Sequence, residues 1–119
     1  MTIKNRGVIG VGIDIEDISR FRKMSFNKNK EFYRKIFTDN EINYCTKKIN
    51  LAQHFTARFC AKEAFIKAFP KTSKNKLPNY KDIEILTING KPLVKYHNKM
   101  YNLSISHDKD KAVAVVIIT

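Results

Sequence analysis

The run NLAQHFTARFCAKEAFIKAF, Asn50 to Phe69, decides how the rest of the chain is arranged. It has no glycine or proline, an asparagine at its start and Pro70 directly behind it. Asparagine favours the N-cap position and proline disfavours helical geometry in the residue before it, so the spacing predicts one helix bounded at both ends. Wrapped at about 3.6 residues per turn, Leu51, Phe55, Phe59, Ile66 and Phe69 make a large apolar face. Ala57, Ala61, Ala64 and Ala68 make a second, flat face on which another backbone can approach closely. Only Gln53, Thr56, Glu63 and Lys67 remain as a polar strip, with Cys60 among them. A helix that is apolar on two sides belongs in the centre of a domain.

Two positions break the core pattern. Lys62 points into the middle of the large apolar face and Arg58 lies on its flank, although neither residue type is commonly buried without a partner. Buried stems with charged heads reaching water satisfy this pattern, and so does an anion site lined by both cations. Glu63 and Lys67, at i and i+4, have the order of a surface ion pair worth about 0.2–0.5 kcal/mol. They also suit the border of a site that holds an anion and a metal. The helix leaves both choices open.

Length and composition narrow the setting. A chain of 119 residues with 43% hydrophobic content is expected to form one domain over residues 1–119, with a core that needs no disulfide staples. No apolar run approaches the roughly 20 residues of a membrane span, and the N-terminus leads into a strand-like segment without a signal-peptide core. Cys45 and Cys60 sit on expected helices without ligand spacing, which points to a reducing, cytoplasmic location. The net charge of +12 favours an anionic partner: an acidic protein, a phosphate-rich cofactor, a nucleic acid or an anionic membrane.

Outward from the helix, the chain changes character at each end. Val8 to Ile15 reads as a strand with Gly10 and Gly12 interposed, and glycine in a strand marks close approach of something to the backbone. Short helices are expected over Ser19 to Met24 and Glu31 to Phe37, and Thr38 to Glu41 reads as a capping box opening a third. Pro70 to Tyr80 is the expected loop. Beyond it the period becomes two: Asp82 to Ile88 turns through Asn89-Gly90 into Pro92 to Tyr96, followed by strands over Tyr101 to Ser106 and Ala112 to Ile118. The last of these reads as fully buried. One strand, a helical block and an antiparallel meander make the fold class α+β.

Three groups of residues carry chemistry. Asp14 and Glu16 are two apart, so they project from one face of the first strand, and Glu63 can add a third hard oxygen; such donors suit Mg²⁺. Arg58, Lys62 and Lys67 can neutralise phosphate beside that metal. Ser104-Ile105-Ser106-His107 ends a strand with hydroxyls and an imidazole. A nucleophile elbow, zinc-ligand spacing, a Walker loop and a G-x-G-x-x-G are all absent from the sequence. A nucleic-acid-binding reading accounts for the charge, but carboxylates facing a phosphate backbone would repel it.

The blocks GVGIDIEDISRF (Gly10 to Phe21), ARFCAKEAFIKAF (Ala57 to Phe69), NGKP (Asn89 to Pro92) and LSISHDKDKAVAVV (Leu103 to Val116) resemble holo-acyl-carrier-protein synthase, the small bacterial-type 4′-phosphopantetheinyl transferase. The resemblance runs nearly end to end. It implies Mg²⁺-dependent transfer of the phosphopantetheine arm of coenzyme A to a serine of apo-acyl carrier protein, releasing 3′,5′-ADP, in support of fatty acid biosynthesis. It implies Asp14 and Glu63 as metal ligands and Lys67 as the residue that stabilises or protonates the leaving phosphate. By the same resemblance Arg58, Lys62 and His107 contact coenzyme A, and Arg20, with Arg22 beside it, docks the acidic carrier protein. It further implies a homotrimer with sites between subunits, and no nucleic-acid or membrane partner. Glu16 departs from the small enzymes: it follows the two-lobed transferases, in which that acid also ligates metal, whereas the small enzymes commonly place an acid one residue later, here Asp17. The resemblance therefore leaves two or three carboxylates on the metal.

Overall fold

Two glycines and a row of alanines bring the first strand and the long helix into backbone contact. In the computed structural model, which describes residues 7–72, 74 and 76–119, strand β1 spans Gly10–Asp17 and helix α4 spans Leu51–Ala68. A Cβ placed on Gly12 would lie 1.8 Å from the carbonyl oxygen of Ala64, and one on Gly10 would lie 1.9 Å from that of Ala68. Only hydrogen fits there, so the expected flat face and the expected glycine approach are two sides of one seam. Gly12→Ala should destabilise the fold by about 1–3 kcal/mol or more, since the helix must lift to admit a methyl group. Urea unfolding checks this, and an unchanged midpoint would show that the seam is loose.

Between β1 and α4 the chain forms α1 (Ile18–Lys23), α2 (Lys30–Ile36) and α3 (Asp39–Thr46). The capping box at α3 is present, with the Thr38 hydroxyl accepting from the Glu41 N–H and the Glu41 carboxylate accepting from the Thr38 N–H. Asn50 stands at the N-cap of α4 as expected, but its side chain makes no capping bond. After α4, the loop that includes Ser73 and Asn75, both outside the described residues, reaches a 3₁₀ turn at Tyr80–Asp82. Strands β2 (Ile83–Ile88), β3 (Lys91–Tyr96), β4 (Lys99–His107) and β5 (Lys111–Ile118) follow. Asn89 and Gly90 take positive φ angles of 52° and 77° and close the first hairpin as the sequence predicts. His97 and Asn98, at 48° and 64°, close the second, which no Asn-Gly pair announces.

The five strands form one antiparallel sheet in the order β1-β5-β4-β3-β2. Helix α4 covers β1 and β5, and the α+β architecture matches the expectation. One apolar cluster lies between α4 and the sheet and includes Cys60, Ala64, Phe65, Ala114 and Val116. A second, aromatic cluster lies under the short helices and joins Phe21, Tyr33, Phe37, Cys45, Phe55 and Phe59. Strand β5 departs from the reading as fully buried. Ala112, Ala114, Val116 and Ile118 face the helix, while Val113, Val115 and Ile117 face outward. On the outer face Val11, Ile13 and Ile15 of β1, exposed at 61%, 59% and 59%, pair with Ile117, Val115 and Val113. Because β1 has one face buried and the other outward, this single sheet edge presents an uncovered apolar surface.

Lys62 is fully buried, which excludes the snorkelling reading. Its ammonium lies 2.7 Å from the buried Glu41 carboxylate and donates to the carbonyl oxygens of Ile36 and Tyr80, each at 2.7 Å. Three N–H donors meet three acceptors, the condition under which a buried cation is tolerated. Burial lowers the Lys62 pKa and Glu41 opposes that shift. Glu41 is saturated in turn, its second oxygen accepting from the Ile85 N–H at 2.8 Å. Lys62, expected to contact a coenzyme A phosphate, has its ammonium engaged inside the protein by these three acceptors. Arg58, 5% exposed, is likewise turned inward, stacked over the Tyr44 ring at 4.0 Å and donating to the Thr87 hydroxyl at 3.2 Å. Its Nε is buried without a hydrogen-bond partner among the described residues.

Candidate active site

Strand alternation sends Gly10, Gly12, Asp14 and Glu16 to the inner side of β1. Because the glycines let α4 settle on the strand, the two acids further along lie beneath the helix turn that carries Glu63 and Lys67. Asp14 is 9% exposed. Its Oδ1 accepts from Lys67 Nζ at 3.0 Å, and Lys67 also donates to the Ile13 carbonyl oxygen at 3.1 Å. Asp14 Oδ2 is buried without a hydrogen-bond partner among the described residues. The Cys60 thiol donates to the Asp14 backbone oxygen at 3.1 Å; Cys60 is buried rather than on a solvated strip, and burial, reinforced by Asp14, raises its pKa. Of the two choices left open for Glu63 and Lys67, a mutual ion pair is not formed: Lys67 pairs with Asp14, and the hydrogen bond to Asp14 holds the Lys67 pKa up.

Glu16 completes the acid group. Burial, then a hydrogen bond to Asp14 and the charge of Asp14, raise its pKa from 4.5 to about 7, with Glu63 adding to the effect and Arg20 opposing it. Arg20 Nη1 stands 3.7 Å from Glu16 Oε1. Asp17 points the other way and pairs with Lys111, so of the two adjacent acids it is Glu16 that faces the group. Glu63 accepts a hydrogen bond from the Tyr80 hydroxyl, and burial together with that bond pushes the Tyr80 pKa up to about 12. Tyr80 is a site residue that the sequence reading misses, since nothing local signals that a tyrosine 17 positions past Glu63 returns to it.

Among the described residues no three metal-ligating side chains stand in a ready-made cluster. The donor set nonetheless fits a hard cation that keeps some of its waters and takes further oxygens from its substrate. Asp14 holds an unpartnered buried oxygen, and the mutual repulsion that favours the proton on Glu16 is relieved by a divalent charge.

His107 stays apart from the acids. It lies in the row Glu16, Ala112, His107 across β1, β5 and β4, two strand spacings or roughly 10 Å from Glu16. Its Nε2 is 3.0 Å from the Gln53 amide nitrogen at the start of α4, a second partner that sequence spacing does not reveal. Asp14 and Lys67 border a cleft of about 380 Å³ whose other walls are Ile13, Ile15 and Val113. The acid group thus opens at the margin of the uncovered apolar face. A separate groove of about 460 Å³ runs beside α1, where Arg22 stands among Phe21, Phe26 and Leu51.

Residues 10–117 match the family described as the 4′-phosphopantetheinyl transferase superfamily. A holo-[acyl-carrier-protein] synthase of Thermodesulfovibrio yellowstonii is 42% identical over 92% of this chain and 97% of its own. One from Geobacter sp. (strain M21) is 36% identical over 93% and 98%. The crystal structure of a holo-(acyl-carrier-protein) synthase from Bacillus anthracis in complex with CoA (3′,5′-ADP) superposes with a TM-score of 0.77 at 36% identity, covering 92% of this chain and 95% of that one.

Proposed function

The chain belongs to the 4′-phosphopantetheinyl transferase superfamily, and from that premise we propose that it acts as a holo-[acyl-carrier-protein] synthase. It would move the 4′-phosphopantetheine arm of coenzyme A onto a serine of apo-acyl carrier protein and release 3′,5′-ADP. The observation that carries this reading is the meeting of Asp14, Glu16, Glu63 and Lys67 where β1 lies against α4. Carboxylates and an adjacent ammonium are what a pyrophosphate cleavage needs, because its catalysis is mostly positioning and charge stabilisation.

In this mechanism Asp14 and Glu63 would hold Mg²⁺, with Glu16 as a candidate third ligand beside them. The ion, when bound, would supply Lewis-acid polarisation of the pyrophosphate oxygens. The serine hydroxyl would give up its proton to solvent as its oxygen bonds to the phosphorus that bears the pantetheine arm and the bond from that phosphorus to the bridging oxygen breaks. Lys67, tethered to Asp14, is placed to stabilise or protonate the oxygen that leaves. His107, oriented by Gln53, would contact the coenzyme from two strands across the sheet, level with Glu16. Mass spectrometry of apo-acyl carrier protein incubated with coenzyme A, Mg²⁺ and this protein tests the whole reading. The carrier should gain one phosphopantetheine; no gain, with a control enzyme working, would sink it.

The carrier protein would dock on α1. Arg22 sits in a groove of mixed polar and apolar lining, donates to the Lys109 carbonyl oxygen at 3.0 Å and has no acidic partner among the described residues. Arg22→Glu should raise the KM for carrier protein by about one to two orders of magnitude, on the scale of close charge-pair coupling, while the KM for coenzyme A changes little. Equal losses for both substrates in steady-state kinetics would remove α1 from the docking surface. Arg20→Glu should behave differently, because Arg20 also pairs with Glu16 and its reversal would disturb the acid group as well.

Assembly as a homotrimer would cover the outer face of β1 and β5 and enclose the cleft at Asp14 and Lys67, placing each site between subunits. The exposed Val11, Ile13 and Ile15 support this, since a soluble chain rarely leaves such a contiguous patch open. Ile13→Asp should dissociate the assembly and abolish transfer together. Sedimentation that finds the unaltered chain to be an active monomer at micromolar concentration would refute it.

A further inference from the structure

Consecutive residues of α4 hold Tyr80 at two points. Lys62 donates to the Tyr80 carbonyl oxygen at 2.7 Å, from a position fixed by Glu41 and the Ile36 carbonyl oxygen. Glu63, the next residue, accepts from the Tyr80 hydroxyl. Between these points the Tyr80 ring packs on Phe59, with centroids 5.6 Å apart and planes at 34°. The phenol therefore has little freedom: its backbone is anchored to a buried ion pair and its ring to the aromatic cluster. Only its hydroxyl reaches the acid group.

We propose that Tyr80 is a positioning residue for the metal site, one that fixes the Glu63 carboxylate by committing one of its oxygens. The proposal rests on the reading of Asp14 and Glu63 as ligands. Glu63 has a flexible side chain on the solvent-facing side of α4, half-buried, with Lys67 drawn away to Asp14. Without the phenol, no hydrogen bond within the described residues would set its rotamer. With it, Glu63 is biased to offer a cation its other oxygen alone. Hydrogen bonds of this kind to metal-ligating carboxylates typically contribute 10- to 100-fold in metal affinity. The buried Lys62 thus acts on the site through the tyrosine it anchors.

The test uses the full chain and Mn²⁺ as the probe, because its EPR signal reports bound and free metal without catalysis. Tyr80→Phe keeps the ring, and the Lys62 bond goes to a backbone oxygen that no side-chain change removes. Mn²⁺ binding in the presence of coenzyme A should weaken by about 10- to 100-fold, and the Mg²⁺ needed for half-maximal transfer should rise in parallel. The urea midpoint and the coenzyme A affinity without metal should stay where they are. Equal Mn²⁺ affinity in both chains overturns the proposal. A lowered urea midpoint together with weaker metal-free coenzyme binding overturns it too, since Tyr80 would then be serving the fold. If the unaltered chain takes up Mn²⁺ no better than Glu63→Gln, the ligand assignment itself fails and takes this proposal with it.

Discussion

Transfer should fall by on the order of 10³-fold or more when either Asp14 or Glu63 is replaced by alanine, because a catalytic metal supplies several kcal/mol of transition-state stabilisation. Neither change should unfold the protein. Glu63 is only half-buried, and the Cys60 bond at Asp14 goes to the backbone oxygen, which alanine retains. The two variants should nonetheless differ. Asp14→Ala also releases Lys67, so it should lower the rate even at saturating Mg²⁺. Glu63→Ala leaves the Lys67 pair intact, and part of its defect should recover as Mg²⁺ is raised. Initial rates over a Mg²⁺ series distinguish these outcomes, and near-normal rates at limiting Mg²⁺ in either variant would show that the ligand assignment is wrong.

Lys62→Met should cost about 3–5 kcal/mol of stability, the scale for removing one partner of a buried ion pair. Methionine fills similar space, so the loss would come from the stranded charge of Glu41 rather than from a cavity. Adding Glu41→Gln should regain part of the loss by removing that charge. It should not regain all of it, because the Thr38 and Ile85 N–H groups depend on the Glu41 oxygens and an amide supplies only one acceptor. A double-mutant cycle from urea unfolding gives the coupling. A Lys62→Met midpoint close to that of the unaltered chain would mean that the pair is held in place without contributing to stability.

What could be read from the sequence was whatever physics acts over a few residues or over a regular period. The Thr38 to Glu41 capping box is settled within one turn, and Asn89-Gly90 carries its own turn geometry. The seam was legible because both of its sides announce it, glycines in a strand and alanines along a helix. The acid pair followed from strand alternation alone. What escaped was the choice of partner for a charged group, which depends on contacts far along the chain. Lys67 passes over Glu63, four residues away, for Asp14, 53 residues away. Lys62 finds its acceptors at Glu41, Ile36 and Tyr80 on three different segments, so its spacing on the helix showed only that it was anomalous. The outward valines of β5 were hidden for another reason: a strand apolar on both faces reads the same whether a helix or a neighbouring subunit covers the second face.

The two apolar clusters each contain a single cysteine, Cys60 beneath α4 and Cys45 among the aromatic rings. Both thiols are free and buried. Burial pushes the Cys45 pKa up to about 12 and raises that of Cys60 as well. Alkylating reagents attack the thiolate, so neither residue reacts while its surroundings stay closed. The chain therefore carries two built-in clocks of its own breathing, one in each half of the interior. Pulsed labelling followed by peptide mapping reads the rate at which each half opens, and whether the glycine seam and the aromatic cluster come apart as one unit or in sequence.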